Sequence, residues 1–215
     1  MNIGVIGAGN IGATLARQFA AAGHDVAIAN SRGPETLRDL ADGLGDRVRP
    51  VAAEEAAWSG DLVVISVPVG RYPDLPPDGQ PGRTVVDTGN YYPERDGHLP
   101  ELDQDRTTSS ELLQARLRGA LVVKAFNAIR ADHLREFGRE ASAMWRYGIP
   151  VSGDDPAAKR RVLDLIEQIG FEPVDAGGLA DGGRRHQPGT PVYGVELSGA
   201  QLRDRLASGP TSAAQ

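Results

Sequence analysis

Three glycines near the amino end of the chain, Gly7, Gly9 and Gly12, have a spacing with a defined chemistry. They form the pattern G-x-G-x-x-G. Where a strand turns into a helix, the first glycine permits the tight turn, the second lets a diphosphate approach the backbone, and the third lets helix and strand pack closely. The free N–H groups and the positive dipole end of that helix favour the anion. The pattern predicts a dinucleotide site.

The position of these glycines is more informative than the pattern, because glycine fills 27 of the 215 positions and the pattern also arises by chance. Here it directly follows a predicted strand and opens a helix whose apolar Ile11, Leu15 and Phe19 share one face. We therefore favour a diphosphate-binding loop over a merely structural turn. Its predicted binding residues are Gly7, Ala8, Gly9, Asn10, Ile11 and Gly12.

The end of the second predicted strand indicates which dinucleotide binds. NAD sites usually place Asp or Glu there, whereas this chain has Asn30, Ser31 and Arg32. A guanidinium can donate two charge-assisted hydrogen bonds to the 2′-phosphate of NADP, which a carboxylate would repel. The alternative is that residues 30–35 form a surface turn in which Asn30 or Ser31 caps the next helix. That alternative does not account for Arg32, so we predict NADP(H).

Short apolar runs alternate with helical periodicity along most of the chain. Most of the runs are continuous, which is typical of strands covered on both faces. Helix ends are marked by Thr108 with Glu111 in a capping box, and by Asp155 before Pro156. This alternation predicts a doubly wound α/β fold with a mainly parallel sheet, that is, a Rossmann-type NAD(P)-binding domain. The predicted strands are residues 2–6, 25–29, 47–51, 61–67, 83–88, 121–126, 149–153 and 172–176.

We predict one main domain, residues 1–179, followed by a short extension. Residues 180–207 form this C-terminal extension and are expected to contribute to the acceptor site or to a dimer contact; residues 181–194 have no periodicity. Residues 208–215 are expected to be a disordered tail. Residues 71–82 contain four prolines and should form an extended loop.

Composition excludes several classes of function. The net charge of −6 and the lack of basic blocks argue against nucleic acid as a partner. No apolar run approaches the roughly 18 residues of a membrane helix, so we expect no membrane insertion and a cytoplasmic location. The chain has no cysteine, so redox chemistry requires a bound cofactor. The four histidines are scattered, and we predict no metal site.

Five stretches of the chain together resemble the F420-dependent NADP reductase family and the related cytosolic reductase domain of six-transmembrane metalloreductases. The more specific of them contain "VKAFN" at 123–127 and the pair "GDD" and "DAG" in residues 151–179. The resemblance implies NADP(H) as cofactor, F420 or a flavin (FMN or FAD) as co-substrate, and a homodimer. The matching stretches are residues 4–37, 61–75, 85–92, 121–129 and 151–179.

The resemblance also assigns roles to residues at the ends of strands. It implies that residues 8–12 hold the diphosphate and that Ser31 and Arg32 hold the 2′-phosphate. Ligands of open α/β sheets bind at the carboxyl ends of strands, where all these residues lie. The alternative is that "VPVG" and "DTGN" are turn chemistry only. The remaining predicted cofactor residues, which line the path to the nicotinamide or flank it, are Ser66, Val67, Pro68, Thr88, Gly89, Asn90, Ala125 and Asn127.

Hydride transfer to a flat ring depends mainly on stacking, orientation and exclusion of water, so an evident catalytic residue is not required. Lys124 and Asn127 are candidates for hydrogen bonding to an acceptor carbonyl; alternatively, Asn127 caps the following segment and Lys124 points to solvent. His186, with Arg184 and Arg185, is a candidate for binding an anionic or hydroxylated acceptor; alternatively, this charged loop is only solvated.

These observations predict an NADPH-dependent oxidoreductase that transfers hydride between NADP(H) and a small planar acceptor such as F420 or a flavin. One alternative is an NADP(H)-binding redox sensor without turnover, or a partner subunit of a ferric or quinone reductase. Another is a reductase of an imine or keto acid. Such enzymes normally add a large helical C-terminal domain, which the short extension after residue 179 cannot supply.

Overall fold

A single eight-stranded sheet organises the molecule, whose computed structural model describes residues 1–76 and 81–208. The strand order is β3-β2-β1-β4-β5-β6-β7-β8, and neighbours pair in parallel except for the antiparallel pair β6 and β7. The predicted doubly wound, mainly parallel fold is confirmed. The strands are β1 (Asn2–Ile6), β2 (Asp25–Ala29), β3 (Val48–Pro50), β4 (Leu62–Ile65), β5 (Thr84–Asp87), β6 (Leu121–Lys124), β7 (Gly148–Gly153) and β8 (Glu172–Gly177).

Helices connect these strands and cover both faces of the sheet. Two further segments, Pro34–Leu37 and Val69–Asp74, are 3-10 helices. No helix in the described part of the chain is both long and apolar enough to cross a membrane. The α-helices are α1 (Asn10–Ala21), α2 (Arg38–Leu44), α3 (Ala53–Ser59), α4 (Pro93–Asp96), α5 (Pro100–Asp103), α6 (Ser109–Arg116), α7 (Ala131–Glu136), α8 (Pro156–Gln168), α9 (Asp181–Arg184) and α10 (Gly199–Ala207).

The predicted helix signals are present. Thr108 and Glu111 form a capping box at the start of α6. The Glu111 amide donates to the Thr108 hydroxyl at 3.2 Å, and the Thr108 amide donates to the Glu111 carboxylate at 2.8 Å. The Asp155 carboxylate accepts from the Ala158 amide at the start of α8. Gly23 ends the turn after α1 with a left-handed φ of 88°. Local capping chemistry therefore determines where these helices begin and end.

Two apolar layers lie on opposite faces of the sheet. Phe19 of α1 and Leu165 of α8 belong to one layer, together with side chains of α2 and α7. Leu113 of α6 and Ala56 of α3 belong to the other. A third, smaller cluster joins α10 and Val192 to β8. The extension after residue 179 is therefore packed onto the sheet.

Three predictions about loops need correction. Residues 69–74 are a 3-10 helix, so residues 71–82 are not an extended loop throughout; buried Tyr72 anchors this segment to the sheet. Residues 181–184 form α9, although residues 181–194 have no periodicity in the sequence. The sequence analysis also missed α10, whose Leu202 and Leu206 are buried. Residues 77–80 and 209–215, which include most of the predicted tail, lie outside the described part of the chain.

Candidate functional site

A groove runs along the edge of the sheet where β1, β2, β4, β5 and β6 end. It consists of two cavities. We call the first, of about 640 Å³, the Arg32 cavity, after the residue at one end, and the second, of about 370 Å³, the Asn127 cavity. The two cavities share Gly9, Ser66, Val67 and Pro68 in their walls, so they form one continuous groove.

The glycine loop forms the floor between the two cavities. A side chain at Gly12 would overlap the carbonyl oxygen of Gly7, which shows how closely the helix approaches the strand. A Cβ at Gly9, in contrast, would meet no atom within 4 Å. Gly9 therefore faces open groove, which is the space that a diphosphate needs.

The start of α1 above this loop is suited to an anion. No side chain within the described residues caps it, and its first intrahelical bond runs from the Ala13 amide to the Gly9 carbonyl at 2.9 Å. The amides of the first turn therefore point outward without helical partners, and the dipole of a twelve-residue helix adds positive potential there. Both features fit a diphosphate.

At the end of β2, Arg32 lies exposed in the wall of its cavity. Its guanidinium has no hydrogen bond or ion pair with any residue in 1–76 or 81–208. The Asn30 carboxamide shapes this turn by accepting from the Arg32 amide at 2.9 Å and donating to Thr36 at 3.0 Å. The 3-10 helix that follows has no side-chain cap, so neither Asn30 nor Ser31 caps it as the alternative interpretation required. The turn leaves Arg32 available for a ligand.

The opposite wall of the Arg32 cavity contains residues that the sequence analysis did not select. Arg71, Leu75 and Pro76 come from the segment that was expected to be an extended loop. Arg71 forms a 3.0 Å ion pair with Asp74 at the cavity rim. The signal that could have identified this segment is its position directly after "VPVG", because residues that follow the end of a strand often line the same cleft.

Two asparagines from different strand ends meet in the Asn127 cavity. Asn90 donates from Nδ2 to the main-chain carbonyl of Asn127 at 2.8 Å, and Asn127 donates from Nδ2 to Asn90 Oδ1 at 3.1 Å. Asn127 is 3% exposed. These bonds join the turn after β5 to the turn after β6, and they orient both amides because a main-chain carbonyl can only accept.

The Asn127 amide also determines the state of His186. Its Nδ2 donates to the His186 carbonyl at 2.7 Å, so its Oδ1 must accept from His186 Nδ1 at 2.8 Å. His186 Nε2 then accepts from the Ser152 hydroxyl at 2.8 Å. Burial, with a smaller contribution from Lys124, lowers the pKa of His186 to about 3. His186 is therefore a neutral, fully buried imidazole with both nitrogens bonded.

The chain turns into this site through a strained residue. Phe126, between β6 and Asn127, has a left-handed φ of 62° although it is not glycine. Its ring is buried and packs edge-on against Phe19 with centroids 6.5 Å apart. Such conformations cost on the order of 1 kcal/mol or more and cluster at functional sites. The packing of Phe126 and the bonds of Asn127 together hold this turn.

Lys124 lies beneath the cavity and does not point to solvent, contrary to one of the sequence alternatives. It is 1% exposed, and its ammonium donates to the Gly89 carbonyl at 3.0 Å and to the hydroxyls of Ser109 and Ser110 at 3.2 and 3.0 Å. Burial lowers the pKa of Lys124, and the Asp87 carboxylate 3.9 Å away opposes this shift. Lys124 supports the turn at Gly89 from below.

Asp87 completes this support on the other side of the same turn. Its carboxylate accepts from the Gly89 amide at 2.7 Å, from the Tyr72 hydroxyl at 2.6 Å and from the Ser110 hydroxyl at 2.6 Å. Burial and the neighbouring Asp87 raise the pKa of Tyr72 well above its ordinary value, so Tyr72 remains a donor. The turn after β5 is therefore held at both its amide and its carbonyl.

The structure brings most of the predicted cofactor residues to the groove. Gly12 and Ala125 line neither cavity, since Gly12 is packed against Gly7 and Ala125 is part of the core. Lys124 and His186 also lie below the surface of the groove. Asn127 does not cap the next helix, α7, whose cap residue is Arg130. The predicted residues that line the groove are Gly7, Ala8, Gly9, Asn10, Ile11, Asn30, Ser31, Arg32, Ser66, Val67, Pro68, Thr88, Gly89, Asn90 and Asn127.

Three further polar residues line the Asn127 cavity and were missed from the sequence: Tyr92, Arg95 and Tyr193. Tyr193 comes from the extension, and the Gly194 amide ties it to the Ala128 carbonyl at 2.8 Å. The sequence analysis expected the extension to reach the acceptor site but selected His186 in it. No local pattern distinguishes Tyr193, because its hydroxyl contacts that of Tyr92, which lies 101 residues earlier in the chain.

Comparison with known proteins identifies the family of this chain. The family model described as NADP oxidoreductase, coenzyme F420-dependent, matches residues 2–91. The structure of the hypothetical protein SMa0349 from Sinorhizobium meliloti aligns with a TM-score of 0.81 and 34% identity, covering 92% of this chain and 95% of that one. The chain belongs to the F420-dependent NADP oxidoreductase family. The resemblance inferred from the sequence is confirmed, and the family is of the NADP-dependent oxidoreductase type.

Two more distant relatives of this chain have informative names. A structure from Arthrobacter sp. FB24, provisionally described as an F420-dependent NADP-reductase, aligns with a TM-score of 0.71 and 26% identity over 92% of this chain and 99% of that one. Metalloreductase STEAP2 of Mus musculus is 25% identical over 84% of this chain. The chain spans about a third of the length of that metalloreductase.

Proposed function

We propose that this protein is an NADPH-dependent oxidoreductase that transfers hydride between NADP(H) and a small planar acceptor such as F420 or a flavin. The observation that carries the proposal is the continuous groove, which has at one end an arginine without a partner among residues 1–76 and 81–208, and a polar cavity at the other. NADPH, when bound, supplies the hydride. The protein's own residues bind and orient the two reactants and exclude water from them.

The Arg32 end supports NADP over NAD. Arg32 is an exposed guanidinium without a carboxylate partner in the described residues, and Ser31 beside it adds a hydroxyl donor. Hydrogen bonds between charged groups contribute about 1.5–3 kcal/mol each, so one or two such bonds favour a 2′-phosphate by roughly ten- to a hundredfold. The uncapped start of α1 and the open space at Gly9 accommodate the diphosphate between the two cavities.

The Asn127 end supports a planar partner for the nicotinamide. Thr88, Asn90 and Asn127 make part of the lining polar, while Ile11 and Ile129 add apolar surface. A flat ring with carbonyl groups matches a cavity that is partly apolar and partly hydrogen-bonding. Hydride transfer depends mainly on orientation, so the reaction requires no general acid or base in the groove.

Steady-state oxidation of NADPH tests the proposal. NADPH loss is followed with F420, FMN, FAD, riboflavin and a quinone, each against the uncatalysed background. We expect saturable turnover with at least one of them. As a matched control, Gly9→Val should abolish it, because the side chain would fill the open space above the loop. Tight NADPH binding without turnover on any acceptor would contradict the proposal and favour the redox-sensor alternative.

We also propose that the protein acts as a homodimer, as its family resemblance implies. Two exposed apolar residues, Trp145 and Val195, support this proposal, and each contacts the buried Tyr147. The Trp145 ring lies 6.1 Å from the Tyr147 ring, and the Val195 carbonyl accepts from the Tyr147 hydroxyl at 2.9 Å. A mass measured by light scattering tests the proposal, and a monomeric mass across a range of concentrations would contradict it.

A further inference from the structure

Two tyrosines meet in the lining of the Asn127 cavity. Tyr92 follows β5, and Tyr193 belongs to the C-terminal extension. Their hydroxyl oxygens lie 2.5 Å apart, and both residues line the cavity. We call them the tyrosine pair. Nothing in the family resemblance assigned a role to either residue.

The hydrogen-bond arrangement around the pair determines how its protons are used. Asn90 Nδ2 donates to the Asn127 main-chain carbonyl, so the same Nδ2 also donates to the Tyr193 oxygen 3.2 Å away. Tyr193 therefore accepts there. The pair has two hydroxyl protons, and the bond between Tyr92 and Tyr193 uses only one of them. Within residues 1–76 and 81–208 no acceptor takes the other.

This second proton has a restricted set of acceptors. Both tyrosines line the cavity, and no other acceptor lies within reach in the described residues, so water or a bound ligand in the cavity accepts it. Burial and the bond to Tyr92 raise the pKa of Tyr193 above its ordinary value. The pair therefore keeps its donor at neutral and mildly alkaline pH.

Arg95 holds the pair in place. Its guanidinium lies 5.0 Å from the centre of the Tyr92 ring, donates to the Asn90 carbonyl at 2.6 Å and pairs with Asp96 at 2.8 Å. Tyr193 is held from the other side by the tie between Gly194 and Ala128. The donor is thus fixed by contacts from three segments, which favours a binding role over chance exposure.

We infer that the tyrosine pair binds a carbonyl oxygen of the hydride acceptor and stabilises the negative charge that develops there on reduction. Hydride leaves NADPH as NADP⁺ forms, adds to the acceptor ring, and places a negative charge on the conjugated carbonyl system; solvent later supplies the proton. A hydrogen bond to this charge strengthens as it forms. The substrate class is therefore a planar ring with conjugated carbonyls, and the inference rests on the proposed function.

Tyrosine-to-phenylalanine variants test the inference. Either single variant, Tyr92→Phe or Tyr193→Phe, leaves one phenol with a free proton, whereas the double variant leaves none. We expect kcat/KM for the acceptor to fall on the order of 10- to 100-fold in the double variant, by more than the two single effects combined. Tyr91→Phe is the matched control, because its hydroxyl donates to Asp103 at 2.6 Å and lies outside this cavity.

Equilibrium binding provides a second readout. The dissociation constants of oxidised riboflavin and of F420 are measured in the presence of NADP⁺, because the oxidised cofactor cannot donate hydride and no turnover occurs. The dissociation constant of NADPH is measured separately. We expect about tenfold weaker riboflavin or F420 binding in the double variant, with NADPH binding within twofold of wild type.

The outcomes separate this inference from the proposed function. A double variant that matches wild type within twofold in both kcat/KM and probe binding overturns the role of the tyrosine pair and leaves the proposed function intact. A wild-type protein that binds the probes without reducing them contradicts the proposed function, and the binding data then decide the inference. Wild-type protein that neither binds nor reduces any probe overturns both.

Discussion

The Arg32 cavity and the Asn127 cavity belong to one groove but are built differently. Around Arg32 the side chains are exposed, and the guanidinium is free of internal partners in the described chain. Around Asn127 the polar groups are buried and bonded to one another: the amide alone contacts Asn90 and His186. One cavity presents unsatisfied groups to a ligand, and the other holds an almost closed hydrogen-bond network.

This difference indicates how each end tolerates change. An exposed, unpaired group contributes to ligand binding and little to folding, so its replacement should alter affinity alone. A buried group that satisfies several partners contributes to both, because its loss leaves those partners without hydrogen bonds in a dry environment. Substitutions can therefore test whether the two cavities differ in this way.

The largest effect is expected beneath the Asn127 cavity. Lys124→Met should lower the free energy of unfolding by about 3–5 kcal/mol, because it leaves the Asp87 carboxylate buried without its cation. Denaturant unfolding measures this. The control is Lys159→Met, which removes a partly exposed lysine paired with Asp175. A loss for Lys124→Met no greater than that of the control would contradict the account of this network.

Between the cavities, two glycines should respond in opposite ways. Gly12→Ala should destabilise the fold by about 1–3 kcal/mol, because the new methyl group overlaps the Gly7 carbonyl. Gly9→Ala should leave stability unchanged but weaken NADPH binding, because its methyl group enters open groove. Thermal unfolding and NADPH titration of both variants measure the contrast. Equal stability of the two variants would show that helix and strand do not approach as closely here.

At the exposed end, Arg32→Asp should change selectivity without changing stability. Replacing the guanidinium by a carboxylate removes up to two bonds to the 2′-phosphate and adds repulsion, so the ratio of NADH to NADPH dissociation constants should fall roughly 10- to 100-fold. Arg38→Asp, a few residues on and outside both cavities, is the control. An unchanged ratio would refute the assignment of Arg32 to the 2′-phosphate.

Between pH 7 and pH 6, the smallest expected effect is a pH dependence of stability from His186. Its pKa is about 3 in the folded chain and near 6.5 when unfolded, so between these values the unfolded state binds the extra proton. Stability should therefore fall as pH is lowered below about 6.5, by up to about 1.4 kcal/mol per pH unit.

His186→Gln should remove this component. The comparison with wild type isolates it from His24, whose pKa burial also lowers. Exposed His98→Gln serves as the control. Identical slopes for wild type and His186→Gln in denaturant unfolding at several pH values would contradict a neutral buried imidazole.

Most elements of the fold were predictable because their signals are local. The eight apolar runs became the eight strands, and the Thr108 capping box and the Asp155 cap start the helices that they predicted. The same holds for most residues of the groove, since parallel strands end at one edge. The two missed elements differ in cause: the 3-10 helix at 69–74 lies in a proline-rich segment without periodicity, whereas helix α10 has local signals that the sequence analysis overlooked. These signals are the Ser198–Gln201 capping box and the spacing of Leu202 and Leu206, which pack on β8. Tertiary contacts stabilise both.

By itself the sequence determined the proposed dinucleotide end of the groove, because each determinant lies within a few residues of a strand end: the glycine loop after β1 and Ser31–Arg32 after β2. Only the tertiary structure decided the proposed acceptor end. It buried Lys124 and His186, which sequence reasoning had considered for chemistry at the surface, and it brought Tyr193 to Tyr92. The physical reason is distance along the chain: a contact between residues 101 positions apart depends on packing of the whole sheet and has no local signature.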